Sequence, residues 1–84
     1  MSEPVKIELT FPIKAHGEEV RELTIRRPTV ADLKATDHLA GEFTKSAKMV
    51  ERLAALPPSG VDQIDGADFK RITEVVDGFL GMLR

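Results

Sequence analysis

The sequence predicts an α+β fold: an N-terminal β-hairpin over about residues 4–27, then three α-helices and a short helical turn over about residues 29–83. Three observations carry this. The stretch from Val5 to Lys14 alternates apolar and polar side chains with a period of two, the signature of a half-buried strand. The stretch from Leu56 to Leu83 holds two stop-and-start signals followed by the strongest helical stripe in the chain. Strand and helix patterns also come in separate runs, which segregates the elements instead of interleaving them. At 84 residues a single domain, 1–84, is the expectation. A fold of this size buries only about 60% of its unfolded surface, so its stability margin is thin.

In the first strand Val5, Ile7, Leu9, Phe11 and Ile13 share one face. Pro12 belongs at a sheet edge or a strand end. A second run, Glu19 to Arg26, carries Leu23 and Ile25. A two-residue loop at His16-Gly17 would pair Leu9 with Thr24 and Ile7 with Arg26, whereas a three-residue loop, Ala15 to Gly17, pairs Leu9 with Leu23 and Ile7 with Ile25. Register follows the buried face, so the three-residue loop is the expectation, with Gly17 left-handed. Val20 is then out of phase, which calls for a bulge or an exposed apolar residue. An isolated hairpin is marginal in water, so this one must lie on the helices or pair with another chain.

Arg26-Arg27-Pro28-Thr29 leads out of the sheet, and Thr29 with Asp32 marks a helix start. That helix is expected from Val30 to Leu39 or Ala40, with Val30, Leu33 and Ala40 on one face and Gly41 either as its break or as a kink through which Glu42 onward continues it. The next, Glu42 to Leu56, has Phe43, Ala47, Val50 and Ala54 on one stripe with Met49, Leu53 and Leu56 beside it. This apolar face is wider than one helix of a small domain needs. Pro57-Pro58 stops it. Ser59 with Asp62 and Asp65 with Asp68 read as two successive N-caps, each acid placed at the positive end of a helix dipole. Val61 and Ile64 form the short turn between them. Phe69, Ile72, Val76, Phe79, Leu80 and Leu83 then form one continuous stripe, with Gly81 as an end signal.

Composition narrows the function classes. There are no cysteines, so neither a disulfide framework nor a thiolate metal site is available. The 12 basic and 14 acidic residues are intermixed and give a net charge of -2, which argues against nucleic-acid binding through bulk electrostatics. Four Phe with no Trp or Tyr make a poor base-stacking platform. No apolar run reaches the roughly 18 residues of a membrane span, and MSEPVKIELTF lacks the apolar region of a signal peptide.

No catalytic, cofactor or metal constellation stands out. His16 at a hairpin tip and His38 on a helix belong to no metal-ligand motif and read as surface residues. Asp62, Asp65 and Asp68 lack the alternating spacing and terminal Glu of a calcium loop, and capping accounts for them. Arg26-Arg27 reads as a solvated strand end, with phosphate or an acidic partner as the sharper alternative. Binding is therefore favoured over catalysis.

The start VKIELTFPI, the hairpin exit ELTIRRPTVADL and above all LPPSGVDQIDGADFKRITEVVDGFL resemble the phage tail assembly chaperones of the Mu-like and P2-like tail protein E group. The resemblance runs from about Val5 to Leu80. Gly66 stands where Ala is common in that family, and Gly60 adds freedom to the loop. The resemblance implies a non-enzymatic protein of the bacterial host cytoplasm that coats the long, helical tape measure protein until tail tube subunits replace it, and that is absent from the mature virion. It also implies, as a partner, a longer frameshifted form of the same chain.

Such a role needs an apolar groove with a polar rim. The face around Phe43, Met49, Val50, Leu53 and Leu56 is the candidate partner-binding surface, Met being suited to imperfectly matched targets. The hairpin edges are the candidate for self-association into a homo-oligomer. A competing reading makes residues 30–40 and 42–56 a helix-turn-helix DNA-binding regulator with the hairpin as a wing, and Lys45, Lys48 and Arg52 facing phosphate.

Overall fold

The computed structural model describes residues 4–81 and orders them as strand, strand, helix, helix, short helix, helix. Strand β1 spans Val5–Ala15 and β2 spans Glu18–Ile25, paired antiparallel as a two-stranded sheet. Helices follow as α1 (Val30–Asp37), α2 (Glu42–Ala54), α3 (Pro58–Asp62) and α4 (Gly66–Phe79). This is the α+β hairpin-then-helices class that the sequence predicts. The hairpin lies on the helices: Ile7, Leu9, Ile13, Leu23 and Ile25 are buried together with Val50, Leu53, Ile72 and Val76.

The hairpin turn corrects the three-residue loop. Ala15 pairs with Glu18, so the loop is His16-Gly17 alone, with φ of 56° and 77°. Two left-handed residues make the mirror-image turn that matches strand twist, and this preference outweighs the phase argument drawn from Leu9 and Leu23. Ile13 consequently pairs with Val20. The register then shifts between Glu8 and Ile13, after which Ile7 faces Leu23 and Val5 faces Ile25. An irregular stretch of β1 around Pro12 therefore absorbs the mismatch, and Val20 is in phase with the turn half of the hairpin.

The helices carry three further corrections. In α1, which ends at Asp37, the expected apolar face points outward: Val30 is 69% and Leu33 42% exposed, while Asp32 and Thr36 are buried. Helix α3 begins at Pro58 with Pro57 as its N-cap, so Ser59 caps nothing and Asp62 ends the helix. Proline is pre-shaped for a first helical position, where its missing N–H is not needed. Gly60 is not a loop residue but a buried point of close approach, where a Cβ would stand 3.4 Å from that of Ala15.

The starts of α2 and α4 agree with the sequence, while α2 ends at Ala54, short of the expected Leu56, because Ala55 turns left-handed. Gly41, at φ 88°, breaks the chain ahead of α2, and Asp65 caps α4 by accepting from the Ala67 and Asp68 amides. Ile72 and Val76 of the last stripe are buried, with Phe69, Phe79 and Leu80 packed beside them. Gly81 is left-handed at the end of α4; Leu83, the last expected member of the stripe, lies outside the described residues.

Candidate functional site

Two buried aspartates position the helices. Asp32 takes a fork from Arg26, whose Nη1 and Nη2 donate at 2.7 and 2.8 Å, and a third bond from Arg52 Nε at 2.8 Å. It also reaches back to the Thr29 N–H at 2.8 Å. The Arg26 bonds hold its carboxyl well below the usual carboxylate range; burial opposes them, and Thr29 and Arg52 add to them. Arg26 closes β2 and Arg52 lies on α2, so this cluster turns the polar side of α1 inward. Leu33 is thereby left facing out over α2 and α4.

Asp68 does the same for β1. Its Oδ2 accepts from the Thr10 and Phe11 amides at 3.0 and 3.3 Å, which are donors in the irregular stretch of the strand. Arg71 donates to Asp68 at 2.6 Å and to the Glu8 carbonyl at 2.9 Å. Burial pushes the Asp68 pKa up, but Arg71 and the two amides outweigh it and hold the group at about 2. Gln63 binds both the N–H and the carbonyl of Lys14. The outer edge of β1 is thus covered by side chains, which confines the expected self-association by strand pairing to β2.

Between α1, α2 and α4 lies an open furrow of about 240 Å³. Met49, Val50 and Val76 form its floor, and Leu33 and Leu80 its apolar walls. Thr36, Ser46 and Thr73 are the small polar residues of the lining, and Asp37, Glu42, Asp77 and Lys45 bring the charges to its rim. Of the five residues that the sequence nominates, Met49 and Val50 line this furrow from below, at 6% and 0% exposure. Leu53 and Leu56 are enclosed in the core and do not reach it. Phe43 is 74% exposed and lies outside the lining, stacked on Phe69 with centroids 5.4 Å apart. The five therefore do not form one open face. Sequence reasoning missed Leu33 and Leu80 as partners of Met49, because the inward turn of α1 depends on the ion cluster at Asp32.

The cations nominated for phosphate contact are largely engaged elsewhere. Arg52 and Arg26 hold Asp32, and Lys48 pairs with Glu51 at 3.0 Å. Arg27 lies over the Phe79 ring at 5.2 Å, close to the C-terminal end of α4. A helix-turn-helix would need these groups turned toward a nucleic acid. His16 Nε2 sits 3.2 Å from the Ala55 carbonyl at the hairpin tip. No helix among the described residues is long and apolar enough to cross a membrane.

The arrangement offers a shallow apolar site with a charged rim. A family model described as phage tail assembly chaperone proteins, E, or 41 or 14, matches residues 6–81. No curated protein and no solved structure matches the chain.

Proposed function

The chain belongs to the phage tail assembly chaperone family, and from that premise we propose that it binds the tape measure protein and keeps it soluble while the tail tube assembles around it. The furrow between α1, α2 and α4 supports this reading: its floor is apolar, its rim is charged, and it opens to solvent. A long helical client presents apolar stripes, and a furrow of this kind accepts one or two side chains of such a stripe at a time. In this reading the protein acts in the bacterial cytoplasm, hands its client to tail tube subunits, and is left out of the finished virion. A longer frameshifted form of the chain is a further partner within the same scheme.

The test is co-expression with the tape measure protein of the same phage or prophage. The parent chain should move the tape measure protein into the soluble fraction and co-purify with it. A tape measure protein equally insoluble with and without the chain overturns the proposal.

A further inference from the structure

We propose that the furrow receives an amphipathic helix whose apolar anchors are flanked by lysine or arginine. The identity of the protein that carries this helix rests on the function proposed above; the chemistry of the site does not.

Size is the first argument. At about 240 Å³ the furrow falls short of the roughly 300–1,000 Å³ of small-molecule sites, yet takes one or two of the apolar side chains that an amphipathic helix laid across it projects at i, i+3, i+4 and i+7. Charge is the second. Asp37, Glu42 and Asp77 come to the rim from α1, α2 and α4 in turn, against one cation, Lys45, among the described residues of the lining. The half-buried and buried carboxylates at Asp32, Glu51 and Asp68 each have a cationic partner. The three at the furrow have neither an ion pair nor a side-chain hydrogen bond among the described residues. Unpaired acids on three sides of an apolar floor favour a cationic rim on whatever docks there, and repel an acidic one.

Two synthetic helical peptides test this, both with Leu at i, i+3, i+4 and i+7, one flanked by Lys and the other by Glu. The reporter is the methyl resonance of Met49 on the furrow floor, assigned by its loss in Met49→Leu. The Lys peptide should shift that resonance and bind at least about ten-fold tighter than the Glu peptide, with the gap narrowing as salt is added. The double variant Asp37→Lys, Asp77→Lys, shown to be folded by its denaturation midpoint, should invert the preference. Equal binding of the two peptides, or an unmoved Met49 methyl at saturation, overturns the inference without recourse to any variant. The two proposals fail separately. A tape measure protein kept soluble alike by the parent and the double variant removes the furrow and spares the chaperone reading. Peptides that rank as expected beside an insoluble tape measure protein do the reverse.

Discussion

Gln63 engages Lys14 as a neighbouring strand would: its amide nitrogen donates to the Lys14 carbonyl at 2.9 Å, and its amide oxygen accepts from the Lys14 N–H at 2.8 Å. Because both outward groups of Lys14 are taken, the opposite residue Glu19 must point its own backbone groups away from β1, along the outer edge of β2. The β1 edge is closed by helix side chains, and the β2 edge is left to Glu18, Glu19, Arg21 and Glu22, charges that discourage strand addition. Replacing Gln63 by Ala should uncover the Lys14 edge. We expect a loss of about 1 kcal/mol in stability and a higher apparent mass at high protein concentration, read by light scattering. An unchanged mass in Gln63→Ala with the fold intact would show that the bond does not guard the edge.

The grip of Asp68 on Thr10 and Phe11 makes acid stability a readout of the hairpin dock. Its folded pKa is depressed, from an ordinary 3.8 to about 2. The unfolded chain therefore binds the proton first as pH falls. The stabilisation is complete above the ordinary value and disappears as pH drops through about 2. Asp32, held lower still by Arg26, adds to the same trend. Urea midpoints should be level near neutrality and fall steeply between pH 4 and 2. In Asp68→Asn that slope should flatten, and stability at neutral pH should already be lower, by about 1.5–3 kcal/mol, since the charge-assisted hydrogen bond from Arg71 is lost.

How much of this was legible depends on the range of the interaction. Period-two alternation from Val5 to Leu9 and the Phe69–Val76 stripe are local, and both appear where the sequence puts them; Phe11, expected on the same face as Leu9 and Ile13, is instead 59% exposed, because the register shift between Glu8 and Ile13 breaks the alternation there. The Asp65 cap is local as well. By contrast, the Asp68 bond to Thr10 spans 58 residues and the Arg52 bond to Asp32 spans 20. Neither leaves a periodic trace. A capping acid three residues after Thr29 or Asp65 looks the same whether it stops at the helix start or also collects partners from another element, arginines at Asp32 and β1 amides at Asp68. The outward turn of Val30 and Leu33 follows from that hidden second role, which is why the apolar side of α1 reads as core in the sequence and stands at the surface in the fold.

The Asp32 cluster should consequently matter more to α1 than its leucine and valine do. Asp32→Ala takes the shared acceptor from Arg26 and Arg52, which solvent still reaches, and is expected to cost about 1.5–3 kcal/mol and to free α1 amides to exchange. Val30→Ser, at a position 69% exposed, should stay within about 0.5 kcal/mol of the parent. Hydrogen exchange and thermal denaturation of the two variants check the ranking; the reverse order would return Val30 to the core.

Ala55 offers the opposite sign. It ends α2 in the left-handed region, at φ 56° and ψ 46°, a conformation whose Cβ contact costs about 1–2 kcal/mol. Glycine there relieves the contact but gives back some of the gain as chain entropy. Ala55→Gly should raise stability by about 0.5–1 kcal/mol, seen as a shift in melting temperature of several degrees. A destabilised variant would mean that the Ala55 methyl packs more strongly than its exposed position implies.

The wide face of α2 divides into a structural part and a surface part, and two substitutions separate them. Leu53 is 2% exposed among hairpin and helix side chains, so Leu53→Ala should cost about 2–5 kcal/mol through the lost burial and the cavity left behind. In a fold of this size that removes much of the stability margin, and any loss of client binding would follow from unfolding. Phe43 is 74% exposed, and its one aromatic partner is Phe69, so Phe43→Ser should cost only about 0.5–1.5 kcal/mol, the value of a stacked pair. Its folded fraction should remain near the parent's at growth temperature. If Phe43 belongs to the docking surface, the serine variant will fold, as judged by its denaturation midpoint, and still leave more tape measure protein in the pellet. If it holds the client as well as the parent does, the docking surface is the furrow over Met49 and Val50 alone, and the Phe43–Phe69 stack serves only to fasten α2 against α4.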